Sequence, residues 1–254
     1  MRPLILVLLL LPTLAFAQQI PQYEQILVPF DTMTLESGGA RWHAELWVRN
    51  DGTSSINLVP EVCYSFGQPG PCARRIDVPA GQTVLLDVFP PSNAEFPGVL
   101  FYVPRGRSGD VTFNLRIRDL NRGADAIGTE IPVIREDDLK TGTATLINVP
   151  LSQTGRVNLR LYVPDPAGGF TVRLYGEPGD RLLGQRSYVL GLPTDPPYPL
   201  FIPITIDASD IFRGWIADRV RVTVERTIGA DRPFWPLLTI TNQRNNQITV
   251  VSPQ

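Results

Sequence analysis

Trp42-His43-Ala44-Glu45-Leu46-Trp47-Val48-Arg49 decides the fold. Trp42, Ala44, Leu46 and Val48 form one set, and His43, Glu45, Trp47 and Arg49 the other. An extended chain points successive side chains to opposite faces, so this alternation predicts a strand with one apolar and one polar side. A sheet covered on one side only is typically antiparallel. The same period recurs in Val111-Thr112-Phe113-Asn114-Leu115-Arg116-Ile117-Arg118, at Val157, Leu159, Leu161 and Val163, and at Val220, Val222 and Val224. Between these runs stand Asn50-Asp51-Gly52, Pro79-Ala80-Gly81, Pro104-Arg105-Gly106 and Pro178-Gly179-Asp180. Such clusters turn a chain sharply. The 25 prolines and 21 glycines break long helices and punctuate many short strands. The expected class is all-β, built as antiparallel β-sandwiches.

A weak internal repeat divides the chain. Leu46-Trp47-Val48, Asn50-Asp51-Gly52 and Ile56-Asn57-Leu58 correspond to Leu161-Tyr162-Val163, Pro164-Asp165-Pro166 and Val172-Arg173-Leu174. Asp110–Leu115 corresponds in the same order to Asp218–Val222. Preserved order predicts two tandem domains, at 24–136 and 139–252, meeting at the charged stretch from Arg135 to Gly142. The first strand is expected at Ile26–Phe30 and the last at Gln247–Val251. A helical turn capped by Ser209 is expected through Trp215. A single larger sandwich is the competing architecture.

The N-terminus reads as an address. Met1-Arg2 is followed by an apolar run from Leu4 to Leu11, broken by Pro12 and resumed through Leu14, then Ala15-Phe16-Ala17. A positive start, an apolar middle and small residues at the −3 and −1 positions make a secretory signal peptide at 1–17, cut between Ala17 and Gln18. The run is shorter than the roughly 20 residues of a membrane span. With no Cys at the cut, a lipid anchor is not expected. The mature chain is therefore expected to be periplasmic or secreted. In an exported chain Cys63 and Cys72 are expected to form a disulfide. The intervening loop holds two prolines and two glycines, and its closure is worth about 2–3 kcal/mol.

Charge and motifs then narrow the chemistry. A net charge of −2 argues against nucleic acid or an anionic membrane as partner. His43 is the only histidine, which leaves little for His-based metal or nucleophilic chemistry, and no cofactor motif is present. Glu136, Asp137 and Asp138 read as a solvated linker or, alternatively, as oxygen ligands for Ca²⁺. Asp207 and Asp210, close in sequence to Trp215, form a second acidic cluster. Trp47, Tyr162, Tyr198 and Trp235 are candidate ligand-binding aromatics for a glycan or protein partner. Trp47 and Tyr162 fall on the outward parity of corresponding strands, where a loop, the other sheet or the other domain could cover them.

Arg41–Gly52 and Gly128–Glu136 resemble recurring segments of uncharacterised secreted bacterial proteins with immunoglobulin-like sandwich domains. The resemblance implies two Ig-like domains and carries no activity. The expected function is a non-enzymatic exported protein acting in binding, adhesion or envelope structure. A carbohydrate-binding module is the alternative, and a carboxylate-based glycoside hydrolase a remote one.

Overall fold

The computed structural model describes residues 22–29, 35–37, 40–60, 64–65, 68–69, 76–86, 98–122, 128–151, 155–163, 168–190, 202–206, 217–242, 244–245 and 247–254. The signal segment with Ala17 and Gln18, both cysteines, Tyr198 and the stretch from Asp207 to Trp215 lie outside them.

The described chain is all-β, and every strand pairing is antiparallel. Its first part holds β1 (Tyr23–Val28), β2 (Leu35–Ser37), β3 (Ala40–Asn50) and β4 (Ile56–Pro60). The small hairpin of β5 (Tyr64–Ser65) and β6 (Gln68–Pro69) follows. Next come β7 (Ile76–Val78), β8 (Thr83–Leu86), β9 (Val99–Pro104), β10 (Val111–Asp119), β11 (Thr129–Ile131) and β12 (Ile134–Arg135). They make one sheet ordered β12-β1-β9-β4-β7 and a second ordered β11-β10-β3. Both β2 and β8 add to the free side of β3, one at each end.

Beyond a single 3-10 turn at Glu136–Asp138 the chain continues as β13 (Thr143–Leu151), β14 (Gly155–Val163), β15 (Gly168–Gly176) and β16 (Arg181–Leu190). The last four strands are β17 (Ile202–Ile206), β18 (Ala217–Ile228), β19 (Trp235–Asn242) and β20 (Ile248–Val251). Their sheets are ordered β13-β18-β15-β16 and β17-β14-β19-β20.

The alternation read from the sequence sets which faces are buried. On β3, Ala44, Leu46 and Val48 are at most 2% exposed while Trp47 is 40% exposed. They meet Ile26, Leu58, Phe101 and Leu115 in the first core, to which both sheets contribute. A second core gathers Leu146, Leu159, Leu161, Phe170, Val172, Val222, Val224 and Leu238. Phe170 and Phe234 meet edge to face there, with centroids 5.4 Å apart. Full burial of each such side chain stabilises by roughly 1.5–3 kcal/mol.

Two buried polar side chains fix the turns that the strands need. Asn50, fully buried, ends β3. Its Nδ2 donates to the carbonyls of Ser54 and Val78, both at 2.9 Å, and its Oδ1 accepts from the Gly52 N–H at 2.9 Å. A Cβ at Gly52 would lie 2.6 Å from the Arg107 guanidinium and 2.7 Å from the Asp110 carboxylate, so a larger residue there would displace these two side-chain ends. Arg226 is 1% exposed at the inner end of β18. It donates to the carbonyls of Ile228 and Pro233 and lies 5.5 Å from the centroid of Phe170. Burial pushes its guanidinium below the usual range, and Asp231 pulls it partly back.

Replacing either group orphans buried backbone atoms. Asn50→Ala should lower stability by about 3 kcal/mol, measured by denaturant unfolding with an unchanged slope. Arg226→Ala should cost at least as much, since it also opens a cavity beside Phe170.

Candidate functional site

Three of the four candidate aromatics fall on described residues, and they separate. Trp47 stands on the outward face of β3, level with Asn114 of β10 and with Leu85 of β8, itself 37% exposed. Beside it Arg118 pairs with Glu45 at 2.5 Å. Tyr162 and Trp235 are directly opposed on β14 and β19, yet they are 1% and 6% exposed. Both are thus corrected as ligand platforms. Their outward parity holds within the sheet, but the surface they reach is the first core, which they join together with Leu237. The Tyr162 hydroxyl donates to the Pro29 carbonyl. Gly98, at φ +145°, lets the backbone lie against the Tyr162 ring, 3.3 Å from where its Cβ would be. The Lys140 ammonium sits 5.8 Å from the centroid of Trp235. These contacts form an apolar seam between the part before Glu136 and the part after it.

The acidic stretch at the seam is a clasp. Glu136 Oε2 accepts from the Gln25 N–H at 3.0 Å and from Arg105 at 2.8 Å. Arg135 donates to Glu24 and to the carbonyls of Ser108 and Val111. Glu136 is therefore tied back to β1 and to the turn that follows β9, while Asp137 and Asp138 stay exposed. Among the described residues no three His, Cys, Asp or Glu side chains converge.

Where the seam ends, a cavity of about 320 Å³ opens, lined by Trp42, Asp119, Arg122, Gly128, Thr129, Gln247 and Ile248. Trp42 and Asp119 face each other across β3 and β10. Asp119 Oδ1 accepts from the backbone N–H of Arg41 (3.0 Å) and of Asn121 (3.1 Å), which holds the carboxylate in place at 4% exposure. Its Oδ2 is 3.8 Å from Arg122 Nε, beyond hydrogen-bonding distance. Gly128, at φ +78°, forms part of the wall, where a Cβ would strike the Ile117 carbonyl oxygen at 2.7 Å. From the other side of the seam, β20 supplies Ile248, whose carbonyl accepts from the Thr129 hydroxyl at 3.1 Å. Gln247 precedes it.

Sequence reasoning missed this cavity, although one signal was present. Asp119 continues the apolar parity of Val111, Phe113, Leu115 and Ile117, and a carboxylate at an inward position calls for a polar pocket or a local partner.

No protein-family model matches the chain, and no curated protein matches it. Among solved structures, one chain from the structure of infectious bursal disease virus Gt strain is similar at 13% identity over 92% of this chain and 76% of that one, with a TM-score of 0.18. Among the described residues no helix is long and apolar enough to cross a membrane.

Loss of the seam should uncouple the two parts. Trp235→Ala should cost about 3–5 kcal/mol and split one calorimetric transition into two. Tyr162→Phe, which removes only the hydroxyl, should cost about 1 kcal/mol.

Proposed function

We propose that this chain is an exported, non-enzymatic binding protein made of two tandem Ig-related sandwiches, with its binding site in the seam between them. The order of strand pairing supports the tandem reading. The sequence β1-β9-β4-β7 in the first part has its counterpart in β13-β18-β15-β16, and β11-β10-β3-β8 in β20-β19-β14-β17. The strands at matching places arise in the same order along the chain. This extends the weak repeat in the sequence to whole sheets.

The relation to the immunoglobulin arrangement is close and has one twist. Strands β3, β4, β7, β8 and β9 take the places of B, C, C′, E and F. The first strand, β1, stands beside β9, where the last immunoglobulin strand would be. The last long strand, β10, stands beside β3, where the first would be. This order supports an Ig-related reading of each sandwich in which the terminal strands are exchanged.

The observation that carries the binding function is the seam cavity, to which β3, β10, β11 and the entry to β20 all contribute. Ligand sites favour such junctions, because two rigid bodies supply groups that neither could place alone. Trp47, beside Leu85, offers a separate surface for adhesion, and with one exposed ring among the described candidates the flat aromatic platform has less support than the cavity. Export and the Cys63–Cys72 disulfide belong to the same reading and rest on the sequence.

Thermal melting of the purified mature chain against a panel of metabolites and oligosaccharides tests the function. A seam ligand should raise the melting temperature of the parent and leave Arg122→Ala unmoved. Turnover of any hydrolysable substrate, abolished by one carboxylate substitution, would overturn the non-enzymatic reading. Material recovered from the export compartment should begin at Gln18, with a mass lower by the two hydrogens of a disulfide.

A further inference from the structure

We infer that the seam cavity recognises a neutral saccharide of one or two rings, seated against Trp42. This rests on the cavity being a binding site and adds the chemical class of its ligand. Three features of the lining select that class.

The first is charge balance. Among the described residues of the lining, Asp119 and Arg122 are the charged ones, one of each sign. An anionic ligand would meet the buried carboxylate, and a cationic one the guanidinium. A neutral ligand suffers neither repulsion.

The second is the mixture of hydrogen-bonding groups. Arg122 has Asp119 as its partner among the described residues, at 3.8 Å, so most of its five donors remain available. The Gln247 side chain supplies an amide donor and acceptor. Asp119 Oδ1 is saturated by two backbone N–H groups, while Oδ2 faces Arg122 Nε at 3.8 Å, too far to accept a hydrogen bond from it. The 3.8 Å gap is informative. One hydroxyl oxygen can lie about 2.8 Å from both Arg122 Nε and Asp119 Oδ2, accepting from the first and donating to the second. A hydroxyl donates and accepts at one atom, as a water does, and a sugar presents several around its rim.

The third is the apolar surface. Trp42 is half-buried, packed against the first core while it also lines the cavity, and Ile248 lines the cavity with it. A pyranose carries C–H groups on its faces and hydroxyls at its edge, which fits an aromatic wall bordered by polar side chains. About 320 Å³ lies at the small end of the range for ligand pockets, which suits one or two rings.

The test is calorimetric titration of the full mature chain with cellobiose, maltose and chitobiose, each to about 10 mM. Binding of at least one is expected, with Kd between about 1 mM and 1 μM. Arg122→Ala and Gln247→Ala should each weaken it about tenfold or more. Leu182→Ala, exposed on β16, should leave it unchanged. Trp42→Leu should abolish it, and because Trp42 also supports the core, the two polar variants carry the test if that protein does not fold. Binding unaffected by Arg122→Ala and Gln247→Ala would overturn the proposal, as would no binding of any of the three sugars. A non-sugar ligand, such as a nucleoside, that stabilises the parent and not Arg122→Ala would sink the saccharide class and leave the seam as a binding site. Absence of any Arg122-sensitive ligand would overturn both.

Discussion

The seam of Tyr162, Trp235 and Leu237 against the first core is the contact on which the rest of the molecule depends. Each sheet has one apolar face, and pairing the faces within each part yields two cores that could stand separately. The seam adds a third buried surface by covering the outer side of β14 and β19 at one end. It turns two adjacent bodies into one and brings the entry to β20 beside β11. Without that approach Trp42, Asp119 and Arg122 would line an open sheet end, and Gln247 and Ile248 would be elsewhere.

Polar groups do comparable work at the places where the chain must leave its strands. Asn50, Arg226, Asp119 and the Arg135–Glu136 pair each satisfy backbone or charged groups that burial would otherwise leave without partners. Asp119 shows how such a device becomes a site. One carboxylate oxygen holds the turn after β10 and the other is left facing a cation too distant to bond it. The structural duty immobilises the group, and an immobilised group is what recognition needs.

The strand faces were legible because parity is local. Ala44, Leu46 and Val48, or Val220, Val222 and Val224, announce their burial to a reader who sees only eight residues at a time. Tyr162 and Trp235 were not legible in the same way. Their parity is outward, and what covers them lies in a part of the chain more than a hundred residues away for Tyr162. The acidic run at Glu136 was equally opaque, since its partners Gln25 and Arg105 are scattered through the preceding sequence. Asp119 stands between these cases. Its place in an apolar register was visible, and the indole, guanidinium and amide around it were not.

The pairing of β1 with β9 bears on when the chain can fold. β1 leads its sandwich, yet its partner β9 follows some 70 to 80 residues later. Until β9 has emerged, β1 has no long strand to pair with, and loop closure over that distance is slow. A polypeptide drawn N-terminus first through a translocation channel must stay unfolded while most of it is still inside the cell. Under the export proposed above, this connectivity would supply part of that delay, because β1 waits for β9.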